Sequence, residues 1–288
     1  AGNVAPASTT SFILATTPAS APTSLAGTPG NQQVALTWGL PTSDGGSAIT
    51  DYVVQYRVNT PASEWTTFAD GTSTALAATV TGLTNGTAYV FRVAAVTGAG
   101  DGAYSVESAP VTPRTVPGVP TGLVGVMGDS AVTLNWSAPA SNGGSAITDY
   151  QVQYRVNTPG SSWTTFADGT SAGNSATVTG LTNGTAYVFR VAAVNVAGAG
   201  SYSAESAAVT PLAPASAPTG LAGTAGNQQV ALTWPAPASN GGSAITDYVV
   251  QWRVNTTPVA WNTFTDGTST ALAATVTGLT NGTTYVFR

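Results

Sequence analysis

One stretch is written three times in this chain, and its spacing limits what the chain can fold into. Leu-Thr-Asn-Gly-Thr-Ala-Tyr-Val-Phe-Arg-Val-Ala-Ala-Val runs from Leu83 to Val96 and returns from Leu181 to Val194. A third, near-identical copy begins at Leu279 and reaches Arg288. Trp38, Trp136 and Trp234 keep the same interval (136 − 38 = 98 and 234 − 136 = 98), as do Trp65, Trp163 and Trp261, and Tyr89, Tyr187 and Tyr285. A period of 98 residues is too long for a solenoid unit and suits a whole small domain.

Within one period every segment reads as strand or turn, and none carries a helical apolar period. Leu-Thr-Asn-Gly is a turn, because Asn and Gly accept the backbone angles a tight reversal needs. Tyr89 to Val96 follows as a strand, with Tyr89, Phe91, Val93 and Ala95 on one face and Val90, Arg92 and Ala94 on the other. Gln33 to Trp38 alternates, pointing Val34, Leu36 and Trp38 inward, and Ile49 to Arg57 points Tyr52, Val54 and Tyr56 inward. Pro22 opens an edge strand, where proline is tolerated. Trp65 to Phe68 and Ala77 to Thr81 are two further strands, and Tyr104 to Thr112 is predicted as the last. Seven short strands in about 100 residues is the pattern of a β-sandwich.

Composition narrows the function. Only 7% of the 288 residues are charged, the net charge is −5, and there is no histidine, cysteine or lysine. Without a basic patch, nucleic acid is not an expected partner. Disulfides, thiolate metal sites, Schiff bases and lysine cross-links are excluded. No cofactor is expected, and with carboxylates alone available for proton transfer the protein is not expected to be an enzyme. No apolar run is long enough to span a membrane with a helix, and no stretch reads as a signal peptide.

The landmarks also resemble the fibronectin type III family: Trp38 in the second strand, Tyr52-Val-Val-Gln-Tyr-Arg57 in the third, and Leu83 with Tyr89 at the turn into the sixth. They recur in order three times, and the Gly-Gly-Ser-Ala-Ile-Thr-Asp-Tyr phrase is similar to bacterial surface-protein versions. The resemblance implies an all-β protein of three immunoglobulin-like sandwiches, with a tyrosine corner at Tyr89, Tyr187 and Tyr285. The expected domains are 19–116, 117–213 and 214–288, preceded by an extension over 1–18. Proline-bearing linkers at Thr112–Pro120 and Thr210–Pro218 are stiff spacers, so a rod is expected.

Arg57, Arg92 and Trp65 are expected on one outer face, with counterparts Arg155, Arg190 and Trp163, then Arg253, Arg288 and Trp261. They form either a patch for a surface glycan or protein, or guanidinium groups stacked on indole; the stacked reading is preferred. Asn85-Gly-Thr87 and its copies match a glycosylation acceptor, yet Asn-Gly at a turn needs no further reason. Asp44, Asp70, Asp101 and Asp129 read as turn residues rather than calcium ligands. The loop Gly98 to Gly102 leads into a strand, not a helix, so it is no phosphate cradle. It also lacks the Arg-Gly-Asp tripeptide that this loop carries in some family members.

The ends carry one more expectation. Ile13 aligns with Val111 (111 − 13 = 98), so the segment around Phe12, Ile13 and Leu14 resembles a last strand. Arg288 aligns with Arg92 (288 − 2 × 98 = 92), in mid-strand, so the third domain is expected to lack its last strand. Two readings stay open: an excerpt from a longer array, or a subunit whose N-terminal strand completes a neighbour's third domain. The expected function is a non-catalytic extracellular or cell-surface structural and adhesive repeat protein, its export signal already removed. The expected partners are the protein itself, head to tail, on the second reading, or else neighbouring repeats. A spacer from a larger secreted enzyme or adhesin is the alternative.

Overall fold

The computed structural model describes residues 16–256 and 260–288, and among these there is no helix. The first repeat holds β1 (Thr23–Gly30), β2 (Gln33–Gly39), β3 (Ile49–Val58), β4 (Thr66–Thr67), β5 (Ala77–Thr81), β6 (Tyr89–Thr97) and β7 (Gly100–Asp101). Sheet order is β1-β2-β5 in one layer and β4-β3-β6-β7 in the other, all antiparallel. The second repeat has β8 (Thr121–Gly128), β9 (Ala131–Ser137), β10 (Asp149–Val156), β11 (Thr164–Thr165), β12 (Ser175–Thr179), β13 (Tyr187–Asn195) and β14 (Gly198–Ala199). They pair as β8-β9-β12 and β11-β10-β13-β14. The third has β15 (Ala222–Gly226), β16 (Gln229–Thr233), β17 (Gln251–Val254), β18 (Asn262–Thr263), β19 (Ala273–Thr277) and β20 (Tyr285–Phe287), ordered β15-β16-β19 and β18-β17-β20. Six sheets thus make three immunoglobulin-like sandwiches.

The alternating strands place the core where the sequence predicts it. Val34, Leu36 and Trp38 of β2 face Tyr52 and Val54 of β3 and Phe91 and Val93 of β6, all buried. Trp38 meets Tyr52 edge-on, ring centres 5.4 Å apart. Leu232, Trp234, Val250 and Val276 form the matching core of the third sandwich.

The outer face of β6 is not open to solvent: Val90 and Ala94, on the Arg92 side of the strand, are 3% and 0% exposed. Strand alternation says which side a residue takes, not whether that side is covered. On that same face Arg92, between Val90 and Ala94 in the strand, has its guanidinium 4.2 Å from the ring centres of both Trp65 and Tyr104.

The predicted last strand, Tyr104 to Thr112, is not a regular strand. Ser105 donates its amide to Val93 O, Ser108 to Phe91 O, and Val111 exchanges both bonds with Tyr89. Three residues of this segment therefore match two residues of β6, a mismatch that leaves the Phe91 and Val93 amides without a backbone partner in this segment. Serine hydroxyls fill the gap: Val93 N–H donates to Ser105 Oγ and Phe91 N–H to Ser108 Oγ, each at 3.2 Å. Ser203, Ser206 and Val209 repeat the arrangement along β13. Both segments end with a valine dropped over a glycine. A Cβ on Gly27 would stand 2.9 Å from Val111 Cγ2, and one on Gly125 would stand 2.9 Å from Val209 Cγ2.

Candidate functional site: the arginine–aromatic face

Cross-strand register builds the face. Gln55 of β3 stands opposite Arg92 of β6, and Arg57 opposite Val90, so the two arginines are diagonal neighbours on one side of the sheet. β4 pairs Thr66 with Tyr56 and Thr67 with Gln55, which delivers the preceding Trp65 above Arg57. The guanidinium carbon of Arg92 lies 4.2 Å from the Trp65 ring centre and 4.2 Å from that of Tyr104, and that of Arg57 lies 5.0 Å from Trp65. The layers run Tyr104, Arg92, Trp65, Arg57.

The donors at the layer edges are engaged as well. Arg92 donates through Nε and Nη2 to Gln55 Oε1 at 2.9 and 2.7 Å, while Gln55 Nε2 donates to Thr67 Oγ1. Arg57 donates through Nη2 to both oxygens of Glu107, at 3.2 and 3.1 Å, and through Nη1 to Thr60 O. Glu107 is about half exposed, so this pair contributes only ~0.2–1 kcal/mol. The second sandwich repeats the pattern with Arg155, Trp163, Arg190, Tyr202, Gln153 and Glu205. In the third, Trp261 lies between Arg253 and Arg288, at 4.9 and 4.3 Å. Arg253 Nε is buried there with no partner among the described residues.

The structure therefore brings together Arg57, Trp65 and Arg92 as the sequence suggested, and in the stacked form. The reading of the sequence missed Tyr104 and Glu107, although Tyr104/Tyr202 and Glu107/Glu205 recur at the common interval and carry the ring and the charge the arginines need. Burial pushes the Tyr104 phenol above its usual range, Arg92 draws it partly back, and Asp101 adds to the rise. Chemically the face is a clamp. Two arginines lie over the indole, and the clamp ties β4 and the Tyr104–Glu107 segment to β3 and β6.

The other singled-out residues hold turns together. Thr84 N–H donates to Tyr89 Oη at 3.2 Å, with the same bond at Tyr187 and Tyr285, the corner the resemblance implied. Asn85 accepts from Gln32 N–H and donates to Asn31 Oδ1, each at 2.8 Å, linking two turns far apart in the sequence. Asp44 Oδ1 accepts from Gly46 N–H, and Asp129 accepts from Asn183. The Asp70 carboxyl is pushed up, mainly by burial. Phe12, Ile13 and Leu14 lie outside the described residues.

The fibronectin type III domain model matches residues 20–111, 118–209 and 216–288, nearly the whole sequence. The chain belongs to the fibronectin type III family. Its bacterial relative Exoglucanase B of Cellulomonas fimi is 35% identical over 292 residues, covering 94% of this chain and 24% of that enzyme. Human Myomesin-2 is 34% identical over 218 residues, covering 73% of this chain and 15% of that protein. Among solved structures, the three fibronectin domains of chicken CNTN1 match 94% of this chain and 92% of theirs at 19% identity, with a TM-score of 0.35. The chain thus spans a quarter or less of the length of these two sequence relatives. In fibronectin type III terms, the corner tyrosines and core tryptophans are scaffold residues, and no described helix is long and apolar enough to cross a membrane.

Proposed function

We propose that this protein is a non-catalytic, extracellular or cell-surface fibronectin type III array, with domains at 19–116, 117–213 and 214–288, that spaces or anchors whatever it is joined to. The observation carrying this reading is the clamp. The side chains best suited to grip a ligand, Trp65 with Arg57 and Arg92, are bound to one another and to Gln55 and Glu107, and the second sandwich repeats the set. The exoglucanase relative supports a spacer role, since the match leaves three quarters of that enzyme outside it. The rival reading, a glycan- or protein-binding face, is tested on a glycan array and on insoluble polysaccharide. The expected result is no retention. Specific retention that is lost in a folded Trp65→Ala, Trp163→Ala, Trp261→Ala triple variant overturns the spacer reading.

A second reading rests on the valine-over-glycine contact. At Gly223, the counterpart of Gly27, the cleft bordered by Leu221, Val230, Leu232, Tyr285 and Phe287 is open among the described residues. Residues 8–16 of another copy carry Ile13 at the position of Val111, and strand donation into this cleft would build a filament. Ordering the segment costs ~1–2 kcal/mol per residue, so burial of Phe12, Ile13 and Leu14 has to offset it. Sedimentation of the intact protein and of a variant lacking residues 1–16 tests this. Assembly only in the intact protein supports donation, and a monomeric intact protein ends it.

A further inference from the structure

Five asparagines precede glycine, and the fold treats them in two different ways. At the turns before β6, β13 and β20, Asn85, Asn183 and Asn281 each use both side-chain atoms. Oδ1 accepts from the amide of Gln32, Ser130 or Gln228, and Nδ2 donates to Asn31, Asp129 or Asn227, every bond 2.8 Å long. The following glycine amide is also held in the first two, Gly86 by Pro113 O and Gly184 by Pro211 O, both at 2.9 Å.

In the loops after β9 and β16, Asn142 and Asn240 are exposed. Each accepts one local bond through Oδ1, from Gly144 N–H at 2.9 Å or Gly242 N–H at 3.0 Å. Their Nδ2 groups have no partner among the described residues. The following glycine amide donates only to a serine hydroxyl, Ser141 or Ser239, at 3.1 Å. A hydroxyl can rotate away, whereas a backbone carbonyl held in a turn cannot.

The first repeat shows what the product would look like. Asp44 stands where the others have Asn142 and Asn240, and it makes the same turn: Gly46 N–H to Asp44 Oδ1 at 2.9 Å, Gly45 N–H to Ser43 Oγ at 3.1 Å. Gly45, Gly143 and Gly241 share φ values of 70, 74 and 70°. An aspartate is therefore already accommodated in this loop. At Asn183 the opposite holds, because a carboxylate there would face Asp129 Oδ1 across the present 2.8 Å bond.

We infer that Asn142 and Asn240 are sites of spontaneous deamidation built into the fold, while Asn85 and Asn183 are protected. The Gly143 or Gly241 amide nitrogen bonds to the asparagine Cγ, the Cγ–Nδ2 bond breaks, and ammonia leaves with the amide proton. Water then opens the cyclic imide to aspartate or isoaspartate, with no oxidation or reduction. Conversion at both sites takes the net charge of a sparsely charged protein from −5 to −7 (−5 − 2).

The test is peptide mapping by mass spectrometry of the intact folded protein held in mildly alkaline buffer, beside the same protein in denaturant. In the folded state, acid should accumulate at Asn142 and Asn240 at least roughly tenfold faster than at Asn85 and Asn183, a barrier difference of about 1.4 kcal/mol. In denaturant the sites should converge. A folded protein that converts Asn85 or Asn183 as fast as Asn142 overturns the inference, as does a ranking that survives denaturant. The Asn142→Asp, Asn240→Asp double variant should melt with the unmodified protein, and Asn183→Asp should melt lower; the reverse order also overturns it.

Discussion

The Arg92 guanidinium carbon sits 4.2 Å from the centre of the Trp65 indole, held there by two bonds to Gln55. A planar cation on an indole contributes ~0.5–1 kcal/mol when exposed and ~2 when desolvated. The bidentate grip on one carboxamide oxygen demands the guanidinium fork.

Replacing Arg92 by Lys should therefore destabilise the first sandwich by ~1–2 kcal/mol although charge is conserved, because an ammonium neither lies flat on two rings nor bonds Gln55 twice. Urea unfolding of this variant beside Arg92→Ala measures it; Arg92→Lys as stable as the unmodified protein contradicts the clamp.

The two tryptophans of a repeat should separate sharply. Trp38 is 6% exposed and packed on Tyr52, so Trp38→Ala should cost ~3–5 kcal/mol. Trp65→Ala removes a lid from the outer face of the sheet and should cost ~1–2 kcal/mol. Denaturant midpoints of the two variants give the ranking.

Ser24 adopts φ 54°, whereas its counterparts Gly122 and Gly220 adopt 65 and 69°. The left-handed conformation costs a non-glycine residue ~1–2 kcal/mol, against ~0.5–1 kcal/mol of extra unfolded-state entropy for glycine. Ser24→Gly should raise the stability of the first sandwich by up to ~1 kcal/mol, seen as a higher midpoint in thermal unfolding.

Tyr52 is 3% exposed, and its hydroxyl is buried without a partner among the described residues. Burial raises its pKa above the usual phenol value, as it does for Tyr104 and Tyr202. The folded protein then holds protons that the unfolded one has released, so stability contributed by these groups is full below pH ~10 and falls as pH rises further. Tyr52→Phe should remove part of that alkaline loss and gain ~1 kcal/mol at neutral pH by deleting an unsatisfied hydroxyl. Unfolding curves from pH 7 to 11 of both proteins check the sign.

The 98-residue interval, the strand alternation and the Leu-Thr-Asn-Gly turn were enough to place β2, β3, β5 and β6 and to turn Trp38 and Tyr52 inward. These features are local: a period of two encodes a face, and Asn-Gly encodes a turn, without reference to anything distant. What the tertiary structure decided depends on residues far apart in the sequence. Val90 and Ala94 are buried on the face where Trp65 and Tyr104, 27 and 12 residues from Arg92 (92 − 65 and 104 − 92), stack with its guanidinium. Glu107 reaches Arg57 fifty residues away. The last segment runs three residues to two of β6, because serine hydroxyls at 105 and 108 can stand in for carbonyls that register would otherwise supply. Alternation in one strand carries no record of what other segments lay across it, so the clamp and the serine-bridged edge became visible only once the strands were paired.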